Sequence, residues 1–552
     1  GDIWRSSAAK QEQKRWAEQS EKGTCEWLTA ALYQDSAFKR HQSQVEKVLA
    51  RFDSVAEWAD FISFLGRLLK ALQAAPKYNV IPNKLIVAKR LSQCLNPALP
   101  SGVHARALEV YRHIFAVIGV DGLRRDLPVW TPGLLPFFPH AATSIKPVVL
   151  SLYETYYLPL SVDLRPVTRA MLLSLLPGLE EESSEFFDRV VALLDQLSHS
   201  VQLSFFLQTM WHVMIMTPSV RLCAFHYLAR RMPRIGEPAS PPLESLHVSL
   251  LSSAIAQTLR DDTLLVRRQA LDFLVQHMAL TSPIYAALPP PQCASLVDAV
   301  LGTVLRRDIS LNRRLYAWLL GTADTDEAQQ TYFCEHALES VAQTLRGAMS
   351  RDSELQRPFK VLVSLMDKRA LAQPLLSSIV LDVCSALQRD SAVREDVYPT
   401  AQTLFEALDA HVLYQQLYRA VVDQVHGRTE CNRVGLLRHI LSLFEPHDED
   451  VKTVYLPILC MALAAQLQDG MAADTLPGPL AIAVLELMQD MVQRLDTRAL
   501  RLHTPSESIA SLHEPARQWF GDAPPDHPST MQDPTYLTGL LESLLRVALQ
   551  LA

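Results

Sequence analysis

Two histidines nine residues apart, His104 and His113, share the stretch "SGVHARALEVYRHIF" (101–115) with Arg106 and Arg112. Imidazoles transfer protons near neutral pH and bind zinc, so this stretch is the first place to look for chemistry. Nine residues make two and a half helical turns, which puts the two rings on different faces. No Cys or acidic residue stands at ligand spacing beside them, so helix-surface or capping roles are expected instead. His140, alone after Pro139, argues nothing. The acidic run "EPHDED" (445–450) lacks the glycine and the spacing of a calcium loop, and "GLEEESSEFFD" (178–188) reads as acids on the first turn of a helix. No GxSxG, HExxH, GxxxxGK[ST] or paired-carboxylate pattern occurs. The expected catalytic residues, metal ligands and cofactors are therefore none.

Composition narrows the classes further. Glycine is scarce, 18 of 552 residues, which argues against Gly-rich phosphate loops and doubly wound folds. Net charge is −7, so nothing asks for nucleic acid. The eight cysteines are Cys25, Cys94, Cys223, Cys293, Cys334, Cys384, Cys431 and Cys460. None stands within three residues of another, which suits reduced core thiols better than a metal knuckle or a disulfide framework. The most membrane-like stretch, Val201 to Val220, carries Gln202, Gln208, His212 and Pro218 and reads as a buried helix. The start, Gly1-Asp2-Ile3-Trp4, shows no initiator Met or signal peptide, and the end "LLESLLRVALQLA" stops inside an apolar helical pattern. The chain is expected to be part of a longer protein.

The charge distribution offers one binding candidate. Residues 76–125 hold eight basic side chains against two acidic ones, Glu109 and Asp121, inside an acidic chain. Lys84, Lys89, Arg90, Arg106, Arg112, Arg124 and Arg125 are the candidate partner- or lipid-binding residues of this segment. They could meet anionic headgroups or an acidic protein surface. Equally, they could be solvated faces tied to acids on adjacent elements.

The elements that would position these residues are helices. Apolar residues recur at three- and four-residue spacing almost everywhere, and alternating strand patterns are nearly absent. One motif repeats: an apolar residue, polar or basic ones soon after, then Ala or another apolar residue four after the first. It reads Val103-His104-Ala105-Arg106-Ala107, Val167-Thr168-Arg169-Ala170-Met171, Val220-Arg221-Leu222-Cys223-Ala224, Val266-Arg267-Arg268-Gln269-Ala270 and Leu311-Asn312-Arg313-Arg314-Leu315. The later copies start 46 and 45 residues apart, the period of a two-helix repeat. Arg221, Arg267 and Arg313 are expected to pair with acids of a neighbouring repeat. Ser101 is the expected N-cap of the helix carrying the first copy. Prolines in 127–160 predict a short helical turn and a loop before a helix from about Ala141. The aromatics Phe137, Phe138, Tyr153, Tyr156 and Tyr157 are expected to pack rather than line a groove.

The wording of 80–160 carries a resemblance. "VIPNKLIVAKRLSQCLNPALPSGVHARALEVYRHIF" and "LPVWTPGLLPFFPHAATSIKPVVLSLYETYYLPL" resemble the N-terminal region of the Dopey proteins. The resemblance covers roughly 24–330 well and the remainder weakly. It implies a large peripheral protein of Golgi and endosomal membranes, cytoplasmic and without enzymatic activity, working in traffic between late Golgi and endosomes. It also implies as partners a HEAT-type scaffold related to Arf exchange factors and a type-IV P-type ATPase flippase, with kinesin as a further candidate; anionic lipids remain candidates through the basic segment 76–125.

The expected fold is all-α, an α-solenoid of stacked helical hairpins of HEAT/armadillo type. The expected parts are an N-terminal helical extension (1–23), a Dopey-like helical-repeat region (24–330), continuing repeats (331–500), a proline-rich loop (501–534) and a last helix (535–552). The expected function is a non-enzymatic scaffold or adaptor that docks partners on its helical surface. The alternative is a module that binds anionic lipid directly through 76–125.

Overall fold

The computed structural model describes residues 35–495 except 55–56, 76–77, 233–241, 352–355, 390–393, 444–450 and 474–475, together with Phe520. The expected extension 1–23, the acidic run 445–450, the loop 501–534 apart from Phe520 and the last helix 535–552 lie outside them.

Helices form because the apolar spacing leaves each segment one face to bury, and neighbouring helices supply the cover. Among the described residues every regular element is helical. They fall into two units, one reaching to Gln292 and the other starting at Cys293. In the first unit, hairpins stack so that like helix meets like. Leu203–Met216 packs on Val248–Leu259, and Arg221–Arg231, the second helix of its hairpin, packs on Leu264–His277. At the other end Trp58–Gln73 packs on the helix that begins at Ser101, which also packs on Lys84–Cys94. In the second unit Arg369–Arg389, Ala410–Val425 and Leu456–Ala472 pack in succession, and Arg433–Leu443 lies on Gly478–Gln493. This is an all-α fold of stacked helical hairpins.

The small residue of the motif explains the close stacking. Ala107, Ala224 and Ala270 are fully buried, and the apolar residue opening each motif, such as Val103 or Leu311, is buried with them. Each large apolar side chain sealed in this way contributes about 1.5–3 kcal/mol. The aromatics do pack: Phe137, Phe138, Tyr153 and Tyr157 are buried, and Phe115 meets Tyr157 edge-on at 5.8 Å.

Several local readings change. Gly119, at φ 64°, ends the regular helix that starts at Ser101, as a residue without Cβ readily does. The proline-rich 127–160 is more helical than expected. It runs as helix to Leu134, as 3₁₀ turns over Leu135–His140, and again as helix over Lys146–Leu152, leaving only 141–145 as connection. Pro147 and Pro159 sit in the first turns of their segments, where a missing N–H removes no helical bond. Ser101 is not the N-cap; Pro100 holds that place and no side chain caps the turn. The acids Glu180 to Glu182 precede the helix Phe187–Val201 rather than forming its first turn, which carries Asp188.

One helix among the described residues, Arg369–Arg389, is long and apolar enough to cross a bilayer. It packs against Asp326–His336, Leu338–Met349 and Ala410–Val425 and buries 61% of its most apolar window, as a core helix does. The stretch 201–220 is divided: Gln202 leaves helical geometry at φ 75°, Leu203–Met216 is helix, and Pro218–Val220 is a 3₁₀ turn.

Candidate functional site

Chemistry would have to come from the polar residues of the motif, and the structure gives these a common task. The residue after the opening apolar position is His104, Thr168, Arg221, Arg267 or Asn312. The first four are buried, and each reaches back to a carbonyl before its own helix. His104 Nε2 bonds the Asn96 carbonyl at 2.9 Å, while its ring meets Phe137 edge-on at 4.8 Å. Thr168 Oγ1 donates to Leu164 O at 2.9 Å. Arg221 donates from Nε to Met214 O at 2.8 Å and from Nη2 to Ile215 O at 3.1 Å. Arg267 repeats this, seven and six residues back, on Arg260 O and Asp261 O.

The last carbonyls of a helix have no partner within it, and a buried one left unpaired is costly. Arg221 supplies that partner to Met214 and Ile215 in the last turn of Leu203–Met216. His104 and Arg267 tie their helices to the turns that follow Lys84–Cys94 and Val248–Leu259, the Asn96 carbonyl accepting from the Leu99 N–H as well. Arg221 adds a lateral tie: its Nη1 donates to Asp261 Oδ2 of the next repeat at 2.6 Å. Burial pushes the Asp261 carboxyl up, but hydrogen bonds from Thr263 and the Arg221 guanidinium outweigh this and hold it below its ordinary value. The expected Arg–acid pairing thus holds for Arg221. Arg313 is exposed, and it is Asn312 that occupies the clamp register there.

The other reactive groups do not gather into a site. No group of three or more His, Cys, Asp or Glu is placed to hold a metal among the described residues. Burial pushes the phenols of Tyr111, Tyr153 and Tyr157 up, which keeps them protonated at neutral pH. Burial also pushes the Cys94 and Cys384 thiols up to about 12 and that of Cys223 to about 11. Since the thiolate is the reactive form, native-state alkylation with iodoacetamide is expected, among the described cysteines, to mark the exposed Cys334 and Cys431 first and to spare Cys94, Cys384 and Cys460. Peptide mass spectrometry reads this directly; early labelling of Cys384 would contradict the packing.

The basic candidates are mostly engaged. Lys84 Nζ lies 2.8 Å from the buried Asp126 carboxylate, which Arg125 Nε also meets at 3.2 Å. Arg90 pairs with Asp53 at 2.9 Å and lies 4.4 Å above the Phe52 ring. Arg124 bridges Asp121 and Asp163, and Arg106 pairs with Glu109. Lys89 and Arg112 are exposed and form no ion pair among the described residues. Sequence counting missed two things: Asp126 stands one residue beyond the basic window, and the acids Asp53 and Asp163 come from neighbouring elements.

A family model described as "Dopey, N-terminal" matches residues 35–324, more than half of the chain. The chain belongs to the Dopey family. A second model, described as "DOP1 middle TPR domain", matches residues 332–519 of this Dopey chain. Similar relatives are "Protein dop1" of Emericella nidulans, 34% identical over 80% of this chain, and "Protein DOP1B" of Xenopus laevis, 32% identical over 90%. "Protein DOP1" of Saccharomyces cerevisiae is 28% identical over 78%. The chain spans 28%, 25% and 29% of the lengths of these three relatives. Neither the matched models nor these Dopey relatives are named for a catalytic activity. The quoted segments of the resemblance, and the clamps at His104, Thr168, Arg221 and Arg267, fall inside the first match.

Proposed function

We propose that this chain is a non-enzymatic scaffold region of a Dopey-type trafficking protein, acting between late Golgi and endosomes. It docks partner proteins on stacked helical hairpins while lying peripherally on the cytoplasmic side of those membranes. The observation that carries this reading is the use of the polar motif residues. His104, Thr168, Arg221 and Arg267, the side chains best placed for chemistry, all hold backbone carbonyls and leave the helical surface as the working part.

The partners are a HEAT-type scaffold related to Arf exchange factors and a type-IV P-type ATPase flippase; kinesin is a further candidate. Affinity purification of the full chain from cells, probed for the HEAT-type scaffold and the flippase, tests this. Enrichment of at least one over an unrelated helical-repeat control is expected. Failure to enrich either would contradict it.

The second reading, direct binding of anionic lipid through 76–125, is supported by the exposed and unpaired Lys89 and Arg112 and weakened by the pairing of the other five candidates. Exposed paired charges add little to adsorption, whereas each free Lys or Arg near an anionic surface adds about 1 kcal/mol. Flotation with vesicles of phosphatidylcholine and phosphatidylserine is therefore expected to be weak. Strong flotation that K89E/R112E abolishes would make lipid binding the better reading.

A further inference from the structure

In the second unit the starts of Arg369–Arg389 and Ala410–Val425 lie together around a cavity of about 210 Å³. Arg369, Ala372, Gln373 and Leu376, spaced as one stripe of a helix, line it from the first side. Asp409 and Val412 line it from the second helix, and Met366, in the turn before Arg369, completes the lining. The cavity has two natures. Ala372, Leu376 and Val412 are buried, so its floor is apolar. Arg369 and Asp409 are exposed, so its charges stand at the mouth. Ala372 is what leaves the room, since a longer side chain at that point of the stripe would occupy it.

Arginines of this unit pair with acids on neighbouring helices when they reach them. Arg346 meets Asp382 at 2.8 Å, and Arg357 meets Asp298 at 2.6 Å. Arg369 and Asp409 border one cavity, yet no ion pair joins them, and the Arg369 and Gln373 side chains have no partner among the described residues. Asp409 accepts from the His411 N–H at 2.9 Å through Oδ1, which fixes its carboxylate at the start of its helix. Its second oxygen is unengaged among the described residues. Two opposite charges above an apolar floor are complementary to a molecule that carries both charges and a short apolar chain.

We propose that this cavity binds a free aliphatic amino acid of the size of leucine or methionine. The ligand carboxylate meets Arg369, at the positive end of Arg369–Arg389, and the ammonium meets Asp409. The Gln373 amide offers the head group a donor and an acceptor, and the aliphatic chain covers Ala372, Leu376 and Val412. The volume lies below the about 300–1,000 Å³ of sites for larger ligands, which excludes a nucleotide. An acidic amino acid fits badly, because its second carboxylate would lie on the apolar floor. This binding goes beyond partner docking and stands or falls apart from it.

Isothermal titration calorimetry of the full chain with L-leucine tests the proposal. Saturable binding is expected, with L-methionine competing and L-glutamate failing to compete. Isocaproate, which lacks the ammonium, and isoamylamine, which lacks the carboxylate, should each bind about tenfold more weakly, as loss of one hydrogen bond to a charged group gives. R369Q and D409N should each weaken L-leucine binding to the same degree. Asparagine caps a helix as aspartate does, so D409N keeps the helix start. A372L, which fills the floor, should abolish binding, and K360Q, outside the lining, should match wild type. Circular dichroism and thermal unfolding check that the variants keep their fold. Absence of saturable L-leucine binding by wild type would overturn the proposal. Undiminished binding by R369Q or D409N would overturn it too, as would equal binding of isocaproate, which needs only the apolar floor.

Discussion

Replacing Arg221 by methionine is expected to destabilise the first unit by about 3–5 kcal/mol, the cost typical of removing one partner from a buried ion pair. The side chains of Arg221 and Asp261 are only 4% and 8% exposed. Methionine fills much of the arginine's volume, so packing is largely kept while three hydrogen bonds go. The Met214 and Ile215 carbonyls and one Asp261 oxygen lose their donors together. Asp261 keeps its bond from the Thr263 N–H at 2.9 Å, so the turn that opens the next helix survives in part. Denaturant unfolding of wild type and variant checks the magnitude; a loss below about 1 kcal/mol would mean that the clamp is ornamental.

The same variant makes a prediction about pH. The Asp261 carboxyl is held below its ordinary value of 3.8 in the folded chain. Its contribution to stability is therefore fully present above that value and is lost as pH falls through the lower folded value. The penalty of R221M should be largest near neutral pH and shrink below about pH 3.8 as Asp261 takes up a proton. A penalty that grew on acidification would have the wrong sign for this pair.

Trp211→Ala is expected to cost about 3–5 kcal/mol, a large-to-small change in a sealed site. Trp211 is fully buried on Leu203–Met216, and its Nε1 donates to Leu246 O at 2.9 Å. Leu246 ends the short turn that leads into Val248–Leu259, so the indole links one hairpin to the start of the next. Trp211→Phe keeps most of the buried ring but leaves the Leu246 carbonyl unpaired, and should cost about 1–3 kcal/mol. Thermal unfolding of the two variants separates packing from hydrogen bonding. Equal losses would mean that the bond to Leu246 carries the whole effect.

The helices themselves were legible in the sequence because their apolar spacing is regular. That spacing predicts a helix over 82–95, which is Lys84–Cys94, and one over 263–279, which is Leu264–His277. Breaks without proline or glycine were not legible. The spacing predicts one helix over 327–348, but it divides at Ala337, whose φ of −118° interrupts an otherwise continuous pattern. The spacing likewise predicts one helix over 395–425, but it divides before Ala410, where Asp409 caps the next helix by accepting from the His411 N–H. An Asp preceding a fresh apolar run was the available signal there.

The repeated motif was legible too, but its meaning was not. A His, a Thr and two Arg look like different chemistries until each is seen holding a backbone carbonyl just before its own helix. Charge partners were hidden for a related reason: stacking brings together residues about one repeat apart. Arg221 meets Asp261 40 residues on, and Arg124 meets Asp163 39 residues on. A count within a sequence window sees neither partner.

The central claim is that this chain works through its helical surface. Hydrogen exchange on the full chain, with and without the HEAT-type partner, tests it most directly. The prediction is new protection running along the exposed faces of successive helices, with the clamp turns at Asn96, Met214 and Asp261 already protected in both states. Partner-dependent protection confined to one enclosed pocket, or none at all, would contradict it.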